Sequence, residues 1–159
     1  MGVGKSTIGR NLARRSRRRF MDSDKEIEQR TGVDIPTIFD IEGEPGFRQR
    51  EARAIADLSG LEGIVLATGG GAIESAENRA LLSKRGFVVY LTADPEELVG
   101  RLRHDRRRPK LQQGDPAETI RRLFTQRDPQ YRAIADLIVN TGNRTVRSVT
   151  DEVMRQCPK

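Results

Sequence analysis

The chain has 159 residues, 35% hydrophobic, 33% charged and only 4% aromatic, with a formal net charge of +6. That length suits one domain with a core of its own, and a basic balance suits phosphates, carboxylates or nucleic acid. The lone Cys157 excludes an intramolecular disulfide, no apolar run is long enough to span a bilayer, and residues 1–20 lack a leader-like apolar stretch, so a cytoplasmic protein is expected.

The chain opens on "MGVGKST". The phosphate-loop pattern is G-x-x-x-x-G-K-[ST] after a buried strand. Gly4, Lys5 and Ser6 supply its second half, but its first glycine and feeding strand are not in the sequence. Met1 is therefore expected to be an internal methionine taken as a start. Ser6 to about Arg15 predicts a helix, with Ile8 and Leu12 on one face. "RRFMDSD" (18–24) reads as a short strand running into acidic residues, and "KEIEQRTG" as a helix stopped by Gly32. Asp34 can cap the next helix, and another is expected from Pro45 to Leu58.

"GIVLATGGG" (63–71) reads as a buried strand entering three glycines, followed by a helix over 75–84 and a second apolar strand over 86–93. Asp94 can cap a helix through Leu102, and 103–116 has the composition of a loop. Helices are expected near 117–127 and 129–135, then a strand over 135–141 and a helix from Val146 to Gln156. Strands alternating with helices imply an α/β fold: a parallel sheet with helices on both faces. Ligands of such sheets bind beyond the carboxyl ends of the strands.

The candidate chemistry falls at those ends. A glycine turn backed by a helix start can cradle phosphates, so Gly2, Val3, Gly4, Lys5, Ser6 and Thr7 are candidate ATP contacts, with Lys5 on the β- and γ-phosphates and Ser6 on Mg²⁺. Asp22 can hold one Mg²⁺ through water, and Asp24 can accept a hydroxyl proton, although Ser23 or Asp24 could simply cap the next helix. Glu51 is three residues from Arg48 and can orient a guanidinium that grips a carboxylate. Gly69, Gly70 and Gly71 suit close approach of backbone to a ligand. The arginines of 14–20 and 103–108 are accompanied by few aromatics, which argues against single-strand nucleic-acid binding. His104 reads as a surface residue.

Taken in order, "GVGKSTIGR", "DSDKEIE", "IFDIEGEPGFRQRE", "ATGGGAI", "RP" at 108–109 and "QYRAIAD" resemble shikimate kinase, a small P-loop kinase of the nucleoside-monophosphate-kinase-like class. The likeness covers essentially the whole chain. It implies a three-layer fold with sheet order 2-3-1-4-5, the first and central strand being the one not in this sequence. It also implies a substrate-binding helical region over 33–62, a lid over 105–117, and ATP-dependent phosphorylation of the 3-hydroxyl of shikimate. By resemblance, Asp24 is the base, Arg48 and Arg132 hold the shikimate carboxylate, and Gly69 to Gly71 line the ring. Arg108 is the lid arginine over ATP, and Arg101 and Arg144 lie beside the adenine. The expected partners are shikimate and ATP, with no nucleic acid or membrane, and the expected state is a monomer. Lys110 departs from the family, which has an apolar residue there. Rival readings are a gluconate-type kinase, a nucleotide-binding protein with little activity, and a basic nucleic-acid binder.

Overall fold

A computed structural model describes residues 2–102, 109–112 and 114–158. Helix α1 (Lys5–Ser16) leads into strand β1 (Arg19–Asp22) and helix α2 (Ser23–Thr31). Helix α3 (Ile35–Ser59) follows, then β2 (Ile64–Ala67), a 3₁₀ turn (Ala72–Glu74), α4 (Ala76–Arg85) and β3 (Val89–Thr92). The chain continues through α5 (Pro95–Leu102), a 3₁₀ turn (Pro109–Gln112), α6 (Pro116–Ile134), β4 (Leu137–Asn140) and α7 (Val146–Gln156).

Local chemistry explains most boundaries. Asp22 accepts from the backbone N–H groups of Asp24 and Lys25, so α2 starts inside the "DSD" run and the strand is shorter than its sequence suggests. Gly32 closes α2 with φ of 73°, a left-handed conformation that costs a β-carbon-free residue nothing. Asp34 caps α3 through Thr37 N–H, and Ser75 caps α4 through Asn78 N–H. Within α3, Gly43 takes φ 68° and ψ −178°, so the helix is kinked there and resumes at Pro45, a residue suited to a first turn. The two helices expected around Pro129 are one: α6 runs through the proline. Its buried residues Thr119, Ile120, Leu123 and Arg127 form a stripe that continues to Tyr131, and this packing holds the two halves in line.

The strands pair in parallel, β1 with β2 (Arg19 opposite Ile64, Asp22 opposite Ala67) and β3 with β4 (Val89 opposite Leu137, Thr92 opposite Asn140). Among the described residues no ladder joins the two pairs, so one continuous sheet is not formed. Helix α1 packs on β1, β2 and α7. Ile8 of α1 shares a buried cluster with Leu137 and Val139 of β4 and Val149 and Val153 of α7, and Arg15 pairs with Asp151 at 2.7 Å. Val3, Leu98, Leu102, Leu111 and Ile120 form a second cluster, which seats the Pro109–Gln112 turn against α5 and α6. Ile27, Ile38, Phe47 and Ala54 form a third between α2 and α3. No described helix is long and apolar enough to cross a membrane.

Candidate active site

The strands of each pair point their carboxyl ends the same way, and the phosphate-loop, aspartate and glycine residues expected there lie beyond them. At the first end, Gly4 precedes α1 with φ of 83° and has no side chain to cap it. The N–H groups of the first turn therefore face outward with the positive end of the helix dipole, an arrangement that suits phosphate. Ser6 Oγ donates to Asp22 Oδ2 at 3.1 Å, which brings together the two residues expected at a metal. Lys5 lies on the same cavity wall as Val3 and Thr68.

Asp24, Glu51 and the glycine run form the second part. Gly69 N–H donates to the buried Ser23 Oγ at 3.2 Å, locking the start of the glycine run to the first residue of α2. A β-carbon on Gly69 would fall 2.8 Å from Asp24 Oδ1 and 2.9 Å from Glu51 Oε1. A β-carbon on Gly71 would fall 2.2 Å from Arg48 Nη2, so the guanidinium lies directly on the glycine backbone. Tyr131 O–H donates to the Gly70 carbonyl. Close approach is thus the reason for glycine at 69 and 71.

Arg48 is surrounded by carboxylates. Its Nη1 donates to Glu51 Oε2 at 2.6 Å and its Nη2 to Glu44 Oε1 at 3.2 Å, with Glu74 Oε2 at 3.7 Å. Glu51 is only 1% exposed, and burial raises its carboxyl above the ordinary range while the Arg48 charge opposes the shift. Glu44 also meets Lys110 Nζ at 2.7 Å, and that contact is the main reason its carboxyl lies below the usual value. Lys110, which stands where the resemblance expects an apolar anchor, therefore has an ionic one. The apolar anchor of that turn is Leu111.

The two arginines expected to share a carboxylate are not brought together. Arg132 is half-exposed on α6, and its Nε donates to Asp128 at 2.8 Å. The guanidinium that meets the Arg48 cluster is Arg127, buried and paired through Nε with Glu74 Oε1 at 2.8 Å. Positions 120, 123, 127 and 131 lie on one helical stripe, so Arg127 faces inward and Arg132 does not. That periodicity is in the sequence; splitting the helix at Pro129 conceals it. Tyr131 and Glu74 were likewise missed, Tyr131 for the same reason. The rings of Tyr90 and Tyr131 stack with centroids 4.7 Å apart, and burial pushes the Tyr90 phenol up to about 12.

Arg101 donates to the Gly2 carbonyl at 3.2 Å, tying α5 to the phosphate loop. Arg144 pairs with Glu152 at 2.6 Å and donates to the Asn140 carbonyl. Glu97 is 4.0 Å from Arg101 and lies against Gly142, whose added β-carbon would fall 2.7 Å from its Oε2. Arg108 and His104 lie outside the described residues.

This geometry can be set beside known proteins. The family profile described as "Shikimate kinase" matches residues 1–158. A shikimate kinase of Nitrosococcus oceani is 58% identical over 156 residues, covering 98% of this chain and 82% of the relative. One of Pseudomonas entomophila is 56% identical, covering 98% and 91%. Among solved structures, shikimate kinase from Acinetobacter baumannii in complex with shikimate superposes with a TM-score of 0.94 at 44% identity, covering 98% of this chain and 87% of that one. Shikimate kinase from Bacteroides thetaiotaomicron gives 0.88 at 31% identity, covering 98% and 92%.

Proposed function

The chain belongs to the shikimate kinase family, and on that premise we propose how its residues divide the reaction, transfer of the γ-phosphoryl group of ATP to the 3-hydroxyl of shikimate. The carrying observation is that Arg48 and Arg127, from α3 and α6, converge on one carboxylate beside the glycine backbone at Gly71. A cyclic acid with hydroxyls fits that wall: its carboxylate lies on the two guanidiniums and its ring on Gly69, Gly70 and Gly71. Asp24, which meets Gly69 beside Glu51, receives the hydroxyl and accepts its proton. Glu51 holds Arg48 in place from a buried position.

The first turn of α1 and Lys5 bind the nucleotide phosphates, and Arg101 and Arg144 flank the base. Phosphoryl transfer asks mainly for positioning and charge neutralisation, and these residues supply both. Ser6 and Asp22 fit Mg²⁺, which takes hard oxygen donors and few carboxylates, and their side-chain oxygens are 3.1 Å apart. When bound, Mg²⁺ neutralises charge building on the phosphate oxygens. We place Arg127, rather than Arg132, beside Arg48 in this scheme.

The test is a coupled ADP assay with shikimate, with gluconate and without acceptor. Shikimate-dependent ADP release, and a larger rise in shikimate KM for Arg127→Ala than for Arg132→Ala, are expected. Release independent of shikimate would defeat the assignment of substrate, and equal effects of the two variants would defeat the assignment of Arg127.

A further inference from the structure

The Glu74 carboxylate spans two guanidiniums that belong to separate helices. Its Oε1 is 2.8 Å from Arg127 Nε and its Oε2 is 3.7 Å from Arg48 Nη2. A bound carboxylate would occupy these two cations in the same bridging manner. Among the described residues, neither other carboxylate on Arg48 forms an ion pair with Arg127: Glu51 lies on Nη1 and feels the Arg127 charge only at longer range, and Glu44 is shared with Lys110. We propose that Glu74 is an internal competitor for the acceptor's carboxylate, occupying the two arginines until shikimate displaces it. This rests on the reading that Arg48 and Arg127 hold that carboxylate.

Charge balance supports displacement. The ion pairs already set three carboxylates, Glu44, Glu51 and Glu74, against three cations, Arg48, Arg127 and Lys110. A further carboxylate can enter at low cost only if one resident carboxylate leaves the arginines. Glu51 is 1% exposed and cannot turn to water. Glu44 is held by Lys110 at 2.7 Å. Glu74 is 24% exposed and ends a three-residue turn. Its backbone is fixed, since Glu74 N–H donates to the Gly71 carbonyl and Arg79 donates to the carbonyls of Ile73 and Glu74. Its side chain can therefore rotate outward without moving the turn.

The apparent affinity for shikimate is then the intrinsic affinity scaled by the fraction of molecules in which Glu74 is away. Removing its charge should tighten binding. Calorimetric titration of shikimate into Glu74→Gln is expected to show a Kd lower by roughly three- to tenfold, with the KM for ATP unchanged. The methyl ester of shikimate, which has no charge to exchange, should gain nothing. Glu74→Thr serves as the second variant if the glutamine form melts early. An unchanged or raised Kd in a folded variant would overturn the proposal and make Glu74 a residue that orients the arginines. Arg127→Ala separates the premises. If it leaves shikimate Kd unaltered, the reading of the site fails. If it weakens binding while Glu74→Gln brings no gain, the competitor alone fails.

Discussion

Ser6 and Asp22 meet across 3.1 Å, joining the first turn of α1 to the last residue of β1, while the other oxygen of Asp22 caps α2. Substitution can separate these two tasks. Asp22→Asn keeps an oxygen for the cap and loses the charge. It should melt near the parent temperature and need several times more Mg²⁺ for half-maximal rate. Asp22→Ala should lose about 1 kcal/mol of stability as well, the usual cost of a lost cap. A magnesium titration beside a melting curve checks both. An unaltered Mg²⁺ requirement in the asparagine variant would leave Asp22 as a cap only.

Gly71 has φ −93° and ψ −2°, so its backbone tolerates any residue. What excludes a side chain is Arg48, whose Nη2 would lie 2.2 Å from the new β-carbon. The guanidinium would have to turn away, and its bond to Glu51 would break. Gly71→Ala is therefore expected to raise shikimate KM by on the order of tenfold or more, as loss of a charge-assisted hydrogen bond does, while changing the KM for ATP little. Equal rises in both would point to a general loss of structure.

Glu51 gives a pH dependence with a definite sign. Its carboxyl is raised above the ordinary value of 4.5, chiefly by burial. The native state then holds this proton more tightly than the unfolded chain does. The stability contributed is fully present below the unfolded value and is lost as pH rises through the elevated folded one. A glutamine has no proton to lose. Urea unfolding at several pH values should show Glu51→Gln gaining relative to the parent as pH rises from about 4 toward 8. Parallel curves would show that the buried carboxyl does not titrate differently in the two states.

Capped helices were the most legible part of the sequence. Asp34, Asp94 and Gly32 mark starts and stops with side chains or backbone freedom that act locally, and the structure uses each of them. The glycine run was legible as a place of close approach, though not what approached it: Asp24 and Glu51 at Gly69, and Arg48 at Gly71. Proline misled at 129, because a proline signals a break locally while the buried stripe from Ile120 to Tyr131 holds the helix together through contacts distant in sequence. With the helix broken, Arg127 has no inward phase to read, and Arg132 rests on the resemblance alone. Glu74 gave no signal at all. Its importance comes only from two arginines, 26 and 53 residues away in the chain, that fold onto it.

The packing of α1 against α7 has a consequence for how the protein is made. Ile8 shares its buried cluster with Val149 and Val153, partners that are synthesised much later. While the ribosome is still adding residues of α6, the apolar face of α1 has none of its α7 cover, and contacts of such long sequence separation are the slow ones to form. The nascent chain must therefore keep α1 from foreign apolar surfaces until α7 has emerged. The arginines at 14, 15, 17, 18 and 19, directly after that face, place a dense positive charge where self-association would otherwise begin.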